Sequence, residues 1–210
     1  MLDYILKNKV KYATLVEQHL SLSLTALALC ACVGMVLGAL CYRSRTFNGI
    51  ATGVASALRV VPSIATMLIL MPWMGTGFLP AVTALTILGL PPVVVNTALA
   101  LRAIDPLILD AAYACGMDGR RVFFRVRLPL AAPMILTGLR LSALSVAAGA
   151  ILAAYIGAGG LGELILSGLS QFRTDMLLAG AVTTMAISLS LEGFFQGLYR
   201  FFTRHRNPAD

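Results

Sequence analysis

Five stretches of this chain, at about 20–42, 50–74, 79–101, 134–157 and 176–199, are long and apolar enough to cross a bilayer. A helix needs roughly 20 mostly apolar residues to pass a hydrocarbon core about 30 Å thick. Inside that core each backbone donor and acceptor must be satisfied by the protein itself, which leaves only helices and closed barrels. The pattern predicts an all-α membrane protein of about five transmembrane helices. Composition agrees: 59% of the 210 residues are hydrophobic and 12% charged, with a mean hydropathy of +0.87, against about 25% charged in soluble domains. The expected organisation is an N-terminal interfacial segment at 1–19, one transmembrane domain at 20–200 and a short tail at 201–210.

Charge orients the bundle. The formal net charge is +7, and the longest polar connection, 102–133, carries Arg102, Arg120, Arg121, Arg125 and Arg127. Positive loops stay inside, so this segment is expected in the cytoplasm, together with Arg43 and Arg45 of the 43–49 turn and Arg200, Arg204 and Arg206 of the tail. Of the arginines, the outward loops hold only Arg173. The N-terminus then lies outside and the C-terminus inside. Lys7, Lys9 and Lys11 would be carried by a short amphipathic helix at the interface. Asp3 and Glu17, without a short apolar core and an A-x-A site, argue against a cleaved signal peptide.

Several function classes drop out. The only lysines are Lys7, Lys9 and Lys11, so the G-x-x-x-x-G-K-[ST] loop that cradles ATP is absent. The basic residues form no dense block of the kind nucleic acid requires. Cys30, Cys32, Cys41 and Cys115 lack metal-ligand spacing and read as packing residues. His19 and His205 stand at opposite ends of the chain, most simply as solvated residues. No acid, base or metal set converges. The expected catalytic and metal sites are therefore none.

Within the spans, Pro62, Pro72 and Pro91–Pro92 each remove a backbone donor and predict kinks or local unwinding. Such breaks need cover from protein or a water-filled cavity, which makes spans two and three candidates for lining a path, with Arg59, Pro62, Ser63 and Asn96 as its candidate residues. Gly34/Gly38, Gly49/Gly53 and Gly193/Gly197 recur at the spacing that lets helix backbones approach closely; glycine is also simply common in membrane helices. Arg140 and Glu192 fall toward the same side of the bilayer, so they either pair or leave Arg140 to reach the headgroups.

The 102–133 connection is the most structured of the loops in prospect. Asp105–Pro106 suits a helix start, with an Asp cap and proline at the first position. Gly116 is placed to end that helix. Asp118 can cap a second one whose Val122, Phe123 and Val126 form an apolar edge beside Arg120, Arg121 and Arg125. Leu128–Pro129 and Pro133 are expected to redirect the chain into span four. Physics alone allows two uses: docking another protein, or lying flat on anionic lipid.

Asp110-Ala111-Ala112, three residues, Gly116, nine residues, Val126, one residue, Leu128-Pro129 resembles the E-A-A-x3-G-x9-I-x-L-P loop of ABC importer permeases. Asp stands for the usual Glu at 110 and Val for Ile at 126. In that family the loop forms a coupling helix that fits a groove of the ATPase. The resemblance therefore implies ATPase-coupling roles for Asp110, Ala111, Ala112, Gly116, Met117, Asp118, Arg120, Val122, Phe123, Val126, Leu128 and Pro129. Val61-Pro62-Ser63, Gly75-x-Gly77, Asn96-Thr97, Asp105-Pro106 and Gly157 to Gly162 are further similar to the osmoprotectant group, which imports glycine betaine, choline, carnitine and related quaternary amines. Methionine-importer permeases share the layout and the loop.

The resemblance implies a type I ABC importer permease, an inner-membrane subunit with no enzymatic activity of its own. The chain would bind no cofactor; ATP and magnesium would sit in the partner. The implied partners are two ABC ATPase subunits, a second permease copy or paralogue, a periplasmic or lipid-anchored substrate-binding protein, and membrane lipid, with no nucleic acid. Gly157, Gly159, Gly160 and Gly162 would form an outward re-entrant turn that contacts the binding protein or closes the outer gate. One departure from the osmoprotectant pattern is Arg59, where a neutral residue such as Gln is expected. A fixed positive charge near the path disfavours a cationic substrate unless it is paired. A gradient-driven secondary transporter is the alternative from another class; such proteins are often built from paired repeats, and no internal duplication is evident here.

Overall fold

A computed structural model describes residues 2–203, without the side chains of Leu2, Asp3, Arg45, Phe47, Asn48, Ser56, Arg59 and Val60. The described residues form helices joined by short turns, with no strand among them. In chain order these are α1 (Leu2–Lys7), α2 (Lys9–Arg43), α3 (Arg45–Val60), α4 (Ser63–Met74), α5 (Phe78–Arg102), α6 (Pro106–Ala114) and α7 (Gly119–Val122). A π-turn (Phe123–Arg127) leads into α8 (Leu128–Gly149), followed by a 3-10 turn (Leu152–Ile156), α9 (Leu161–Ser170) and α10 (Thr174–Thr203).

Four helical runs among the described residues have the length and composition to cross a membrane: Lys9–Arg43, Phe78–Arg102, Gly119–Gly149 and Thr174–Thr203. The stretch read as the second span is two helices. Pro62, at φ −58° and ψ 131°, takes the backbone out of the helical region between α3 and α4. Its ring also disfavours helical geometry at Val61. The 12 residues of α4 reach only about 18 Å, so this part of the bundle is a broken helix. Pro91 and Pro92, by contrast, stay inside a continuous α5 and are buried by its neighbours.

The centre of the bundle is α5, which packs on α2, α8, α3 and α4. Close approach depends on glycine. A Cβ on Gly34 would stand 2.8 Å from Cβ of Val93, and one on Gly38 would stand 2.9 Å from the carbonyl oxygen of Val94, so α2 lies against α5 with backbone nearly touching side chain. Gly138 of α8 does the same against Asn96 and the carbonyl of Pro92. Without a hydrophobic drive between helices in lipid, this dispersion contact is what holds them. Gly49, Gly53, Gly193 and Gly197 have no neighbour within 4 Å among the described residues. Of the three spaced pairs, Gly34/Gly38 alone is a packing pair inside this chain.

Three further expectations meet a difference. The helix beginning at Gly119 runs through the π-turn into α8 with no break in helical structure at Leu128–Pro129 or at Pro133. In a regular helix the Pro129 ring would crowd the carbonyl four residues back, and the wider turn before it relieves that crowding. His19 is fully buried, because α2 already extends from Lys9 and packs its first turns against α9. Cys30 and Cys41 are buried, as packing residues should be, but Cys32 and Cys115 are exposed. His205 lies outside the described residues.

Candidate functional site

Local chemistry builds the 102–133 connection. The Asp105 carboxylate accepts from the Leu107 amide at 2.9 Å and caps α6, with Pro106 in its first turn. The α6 helix ends because Gly116 adopts φ +77°, a left-handed conformation that costs other L-residues about 1–2 kcal/mol. This turns the chain so that the Gly116 amide donates to Tyr113 O at 2.9 Å and the Met117 amide to Ala112 O at 3.3 Å. Asp118 then caps α7 by accepting from the Arg121 amide at 2.7 Å.

The motif residues divide by exposure. Ala112 and Val122 are buried, and Met117, Phe123, Val126 and Leu128 are half-buried. Phe123 and Leu128 pack on the Ala100, Leu101, Ala131 and Ile135 cluster. Asp110, Ala111, Gly116, Asp118, Arg120 and Pro129 are exposed, and so are Leu107 at 74% and Phe124 at 56%. Short α6 makes its main contacts with α7 and the π-turn, and leaves Leu107, Ile108 and Tyr113 exposed. Exposed apolar area rimmed by charge marks an interaction surface.

Two arginines read from the sequence only as inside charges fix this loop to the bundle. Arg102 Nη2 donates to Cys41 O at 2.6 Å and Ser44 O at 3.1 Å, taking up carbonyls at the C-terminal end of α2 that lack helical partners. Arg127 Nη1 donates to Leu101 O at 2.9 Å, and its guanidinium lies 4.5 Å from the Tyr42 ring centroid.

At the other end of the bundle Gly157, Gly159 and Gly160 have φ of +72°, +75° and +82°. Their turn docks on α2: the Gly160 amide donates to Gln18 Oε1 at 3.0 Å. A Cβ on Gly159 would collide with the same oxygen, and one on Gly162 with Ile151 O. Lys11 pairs with Glu163 at 3.1 Å and Tyr12 Oη lies 2.5 Å from Thr183 Oγ1. Arg173 holds Asp175 at 2.7 Å, and that hydrogen bond raises the Arg173 pKa above its ordinary value. The turn is a packed junction of α2, α9 and α10. His19 sits within it with both ring nitrogens unpartnered.

Arg140 and Glu192 are joined. Arg140 Nε donates to Glu192 Oε2 at 2.8 Å, Nη2 donates to Oε1, and Nη1 reaches Gln196 Oε1 at 3.1 Å. Of the two readings open for Arg140, pairing holds. The candidate path residues do not come together as one site. Pro62 marks the α3–α4 break and Ser63 opens α4. Asn96 donates to Pro92 O at 2.8 Å and is wedged against Gly138 of α8. The side chain of Arg59 lies outside the described residues. No group of three or more His, Cys, Asp or Glu that could hold a metal occurs among the described residues.

Sequence reasoning missed the Arg102 and Arg127 clasps, the Gln18–Gly160 bond and the burial of His19. The acceptors of the arginines are backbone carbonyls, which leave no mark in sequence.

Comparison with known proteins places this architecture. Residues 31–204 match the family described as binding-protein-dependent transport system inner membrane component. The chain is similar to the carnitine transport permease protein OpuCB of Listeria monocytogenes, 39% identical over 175 residues that cover 83% of this chain and 80% of that protein. It is also similar to the osmoprotectant import permease protein OsmW of Salmonella typhimurium, 35% identical over 196 residues and 91% of each chain. Its fold matches a chain of the inward-facing MetNI methionine ABC transporter with a TM-score of 0.79, covering 91% of this chain and 95% of that one; at 18% identity this likeness is one of fold. With its exposed helical loop carried on a bundle of spanning helices, the chain belongs to the family of binding-protein-dependent transport inner-membrane components, the permeases of ABC importers.

Proposed function

We propose that this permease moves a quaternary-amine osmoprotectant, such as glycine betaine, choline or carnitine, into the cell by alternating access driven by a separate ATPase. The observation that carries the coupling is the exposed α6, capped at Asp105 and turned at Gly116, followed by one continuous helical run from Gly119 to Gly149. That run of 31 residues is about 46 Å long. Displacement of the loop by a closing ATPase therefore passes into span four along an unbroken helical run. Asp110, Ala111, Gly116 and the apolar Leu107 are the docking residues, while Ala112 and Val122 hold the loop's own seam. ATP and magnesium are bound by the ATPase, and this chain acts as no enzyme by itself.

The substrate class rests on relatives named for carnitine, choline and osmoprotectants, at 39%, 31% and 35% identity; a relative at 33% identity is named for ergothioneine. A methionine or other amino-acid importer is the second reading, supported by likeness of fold alone. The N-terminus lies outside with the 157–162 turn, and the 102–133 loop and the C-terminus lie in the cytoplasm. This orientation puts the Lys11–Glu163 junction on the side of the binding protein. Broken span two, with Arg59 near Pro62, lines the path together with span three. Two ATPase subunits, a second permease and a periplasmic or lipid-anchored binding protein complete the transporter.

The test is purification of the tagged chain from its native membrane in mild detergent, with mass spectrometry of what accompanies it. Co-purification of a subunit with a Walker motif is expected. A chain that purifies alone as a stable oligomer would contradict the coupling and bring a gradient-driven secondary transporter forward.

A further inference from the structure

Between the last turns of α2 and the loop lies a groove of about 760 Å³. Arg43 from the end of α2 and Arg120 and Arg127 from the loop line it, and no carboxylate is among the lining residues. Arg127 is already committed to Leu101 O and the Tyr42 ring. Arg43 and Arg120 are exposed and have no ion pair among the described residues. Two guanidinium groups without an ion pair among the described residues, lining one groove together with a third held by its own partners, suit a phosphate.

The groove's other half is apolar. Val36 and Leu40 of α2 line it and are 61% and 51% exposed. They lie four residues apart on one face of a spanning helix, about one and two turns before Arg43. A free inorganic anion would use the arginines and leave these side chains idle. An anionic phospholipid would use both ends, since basic pockets at the membrane edge suit its headgroup.

We propose that this groove binds an anionic phospholipid, its phosphate held between Arg43 and Arg120 and an acyl chain laid along Val36 and Leu40. The lipid would bridge the end of α2 to the docking loop. The site does not depend on which solute is carried.

The test uses the intact transporter, purified with whatever subunits accompany the chain and placed in nanodiscs of phosphatidylcholine with or without phosphatidylglycerol. Native mass spectrometry after mild delipidation counts retained phosphatidylglycerol. The wild type should keep it, and the R43Q/R120Q double variant should lose retention about tenfold. R121Q, exposed on the same loop but outside the groove, should match the wild type. L40Q should also weaken retention with every charge in place. Phosphatidylglycerol should raise the wild-type melting temperature, and inorganic phosphate should not. Equal retention in the double variant would overturn the proposal. A full thermal shift from inorganic phosphate alone would overturn it in favour of a free-anion site. Loss of an accompanying subunit with lipid retention unchanged would overturn it in favour of a protein interface.

Discussion

Arg127 lies with its guanidinium 4.5 Å from the centre of the Tyr42 ring while donating to the Leu101 carbonyl at 2.9 Å. One side chain thus ties the 102–133 loop to the ends of α2 and α5. A cation over an aromatic face adds about 0.5–2 kcal/mol, and the planar fork of arginine is what allows the stack and the hydrogen bond together.

Replacing Arg127 by Lys should therefore keep the charge and lose the clasp. The expected result is a complex that still hydrolyses ATP while uptake falls several-fold, measured as the ratio of solute moved to ATP consumed. An unchanged ratio would show that the loop needs no fixing at this point.

Gly116 tests the turn. Nothing lies within 4 Å of where its Cβ would be, so any effect of a side chain comes from φ +77°. Asn tolerates this region far better than β-branched residues. Gly116→Asn should uncouple mildly and Gly116→Val severely, with membrane insertion intact in both. Equal effects of the two would place the defect in contact with the partner rather than in the turn.

The Arg140–Glu192 pair predicts a non-additive cycle. Removing one partner leaves a charge in the bundle without compensation, while replacing both by apolar residues removes the problem. Glu192→Leu should lower the melting temperature more than the Arg140→Leu/Glu192→Leu double variant, so that the two losses do not add. Additive losses would mean that the two charges do not interact in the membrane.

Packing glycines should separate from idle ones. A Cβ on Gly38 meets the Val94 carbonyl at 2.9 Å, whereas one on Gly193 meets nothing within 4 Å. Gly38→Ala should destabilise by about 1–3 kcal/mol, as overpacking does. Gly193→Ala should leave the stability of the single chain unchanged or slightly raised, because alanine favours helix. Thermal denaturation in detergent of the two variants side by side checks the contrast.

What could be read from the sequence was mostly local. The caps at Asp105 and Asp118 and the turn at Gly116 each depend on a few consecutive residues, and all three occur where expected. Pro62 signalled a disturbance in span two, but proline chemistry alone does not decide between a kink and two helices; Pro91–Pro92 shows the opposite outcome. The clasps were illegible because Arg102 and Arg127 bond to carbonyls 61 and 26 residues away. His19 was misjudged for a related reason. Reading the first span from residue 20 put it in solvent, while the helix starting at Lys9 carries it into the junction with α9.

The most direct test of the whole account is uptake into proteoliposomes holding this permease with its ATPase and binding protein. Labelled glycine betaine, choline, carnitine and methionine would be compared, with ATP on the ATPase side and with an imposed ion gradient instead. The account predicts uptake of at least one quaternary amine that requires ATP and stops when Gly116→Val replaces the wild type. Uptake driven by the gradient without ATP, or uptake of methionine alone, would contradict it.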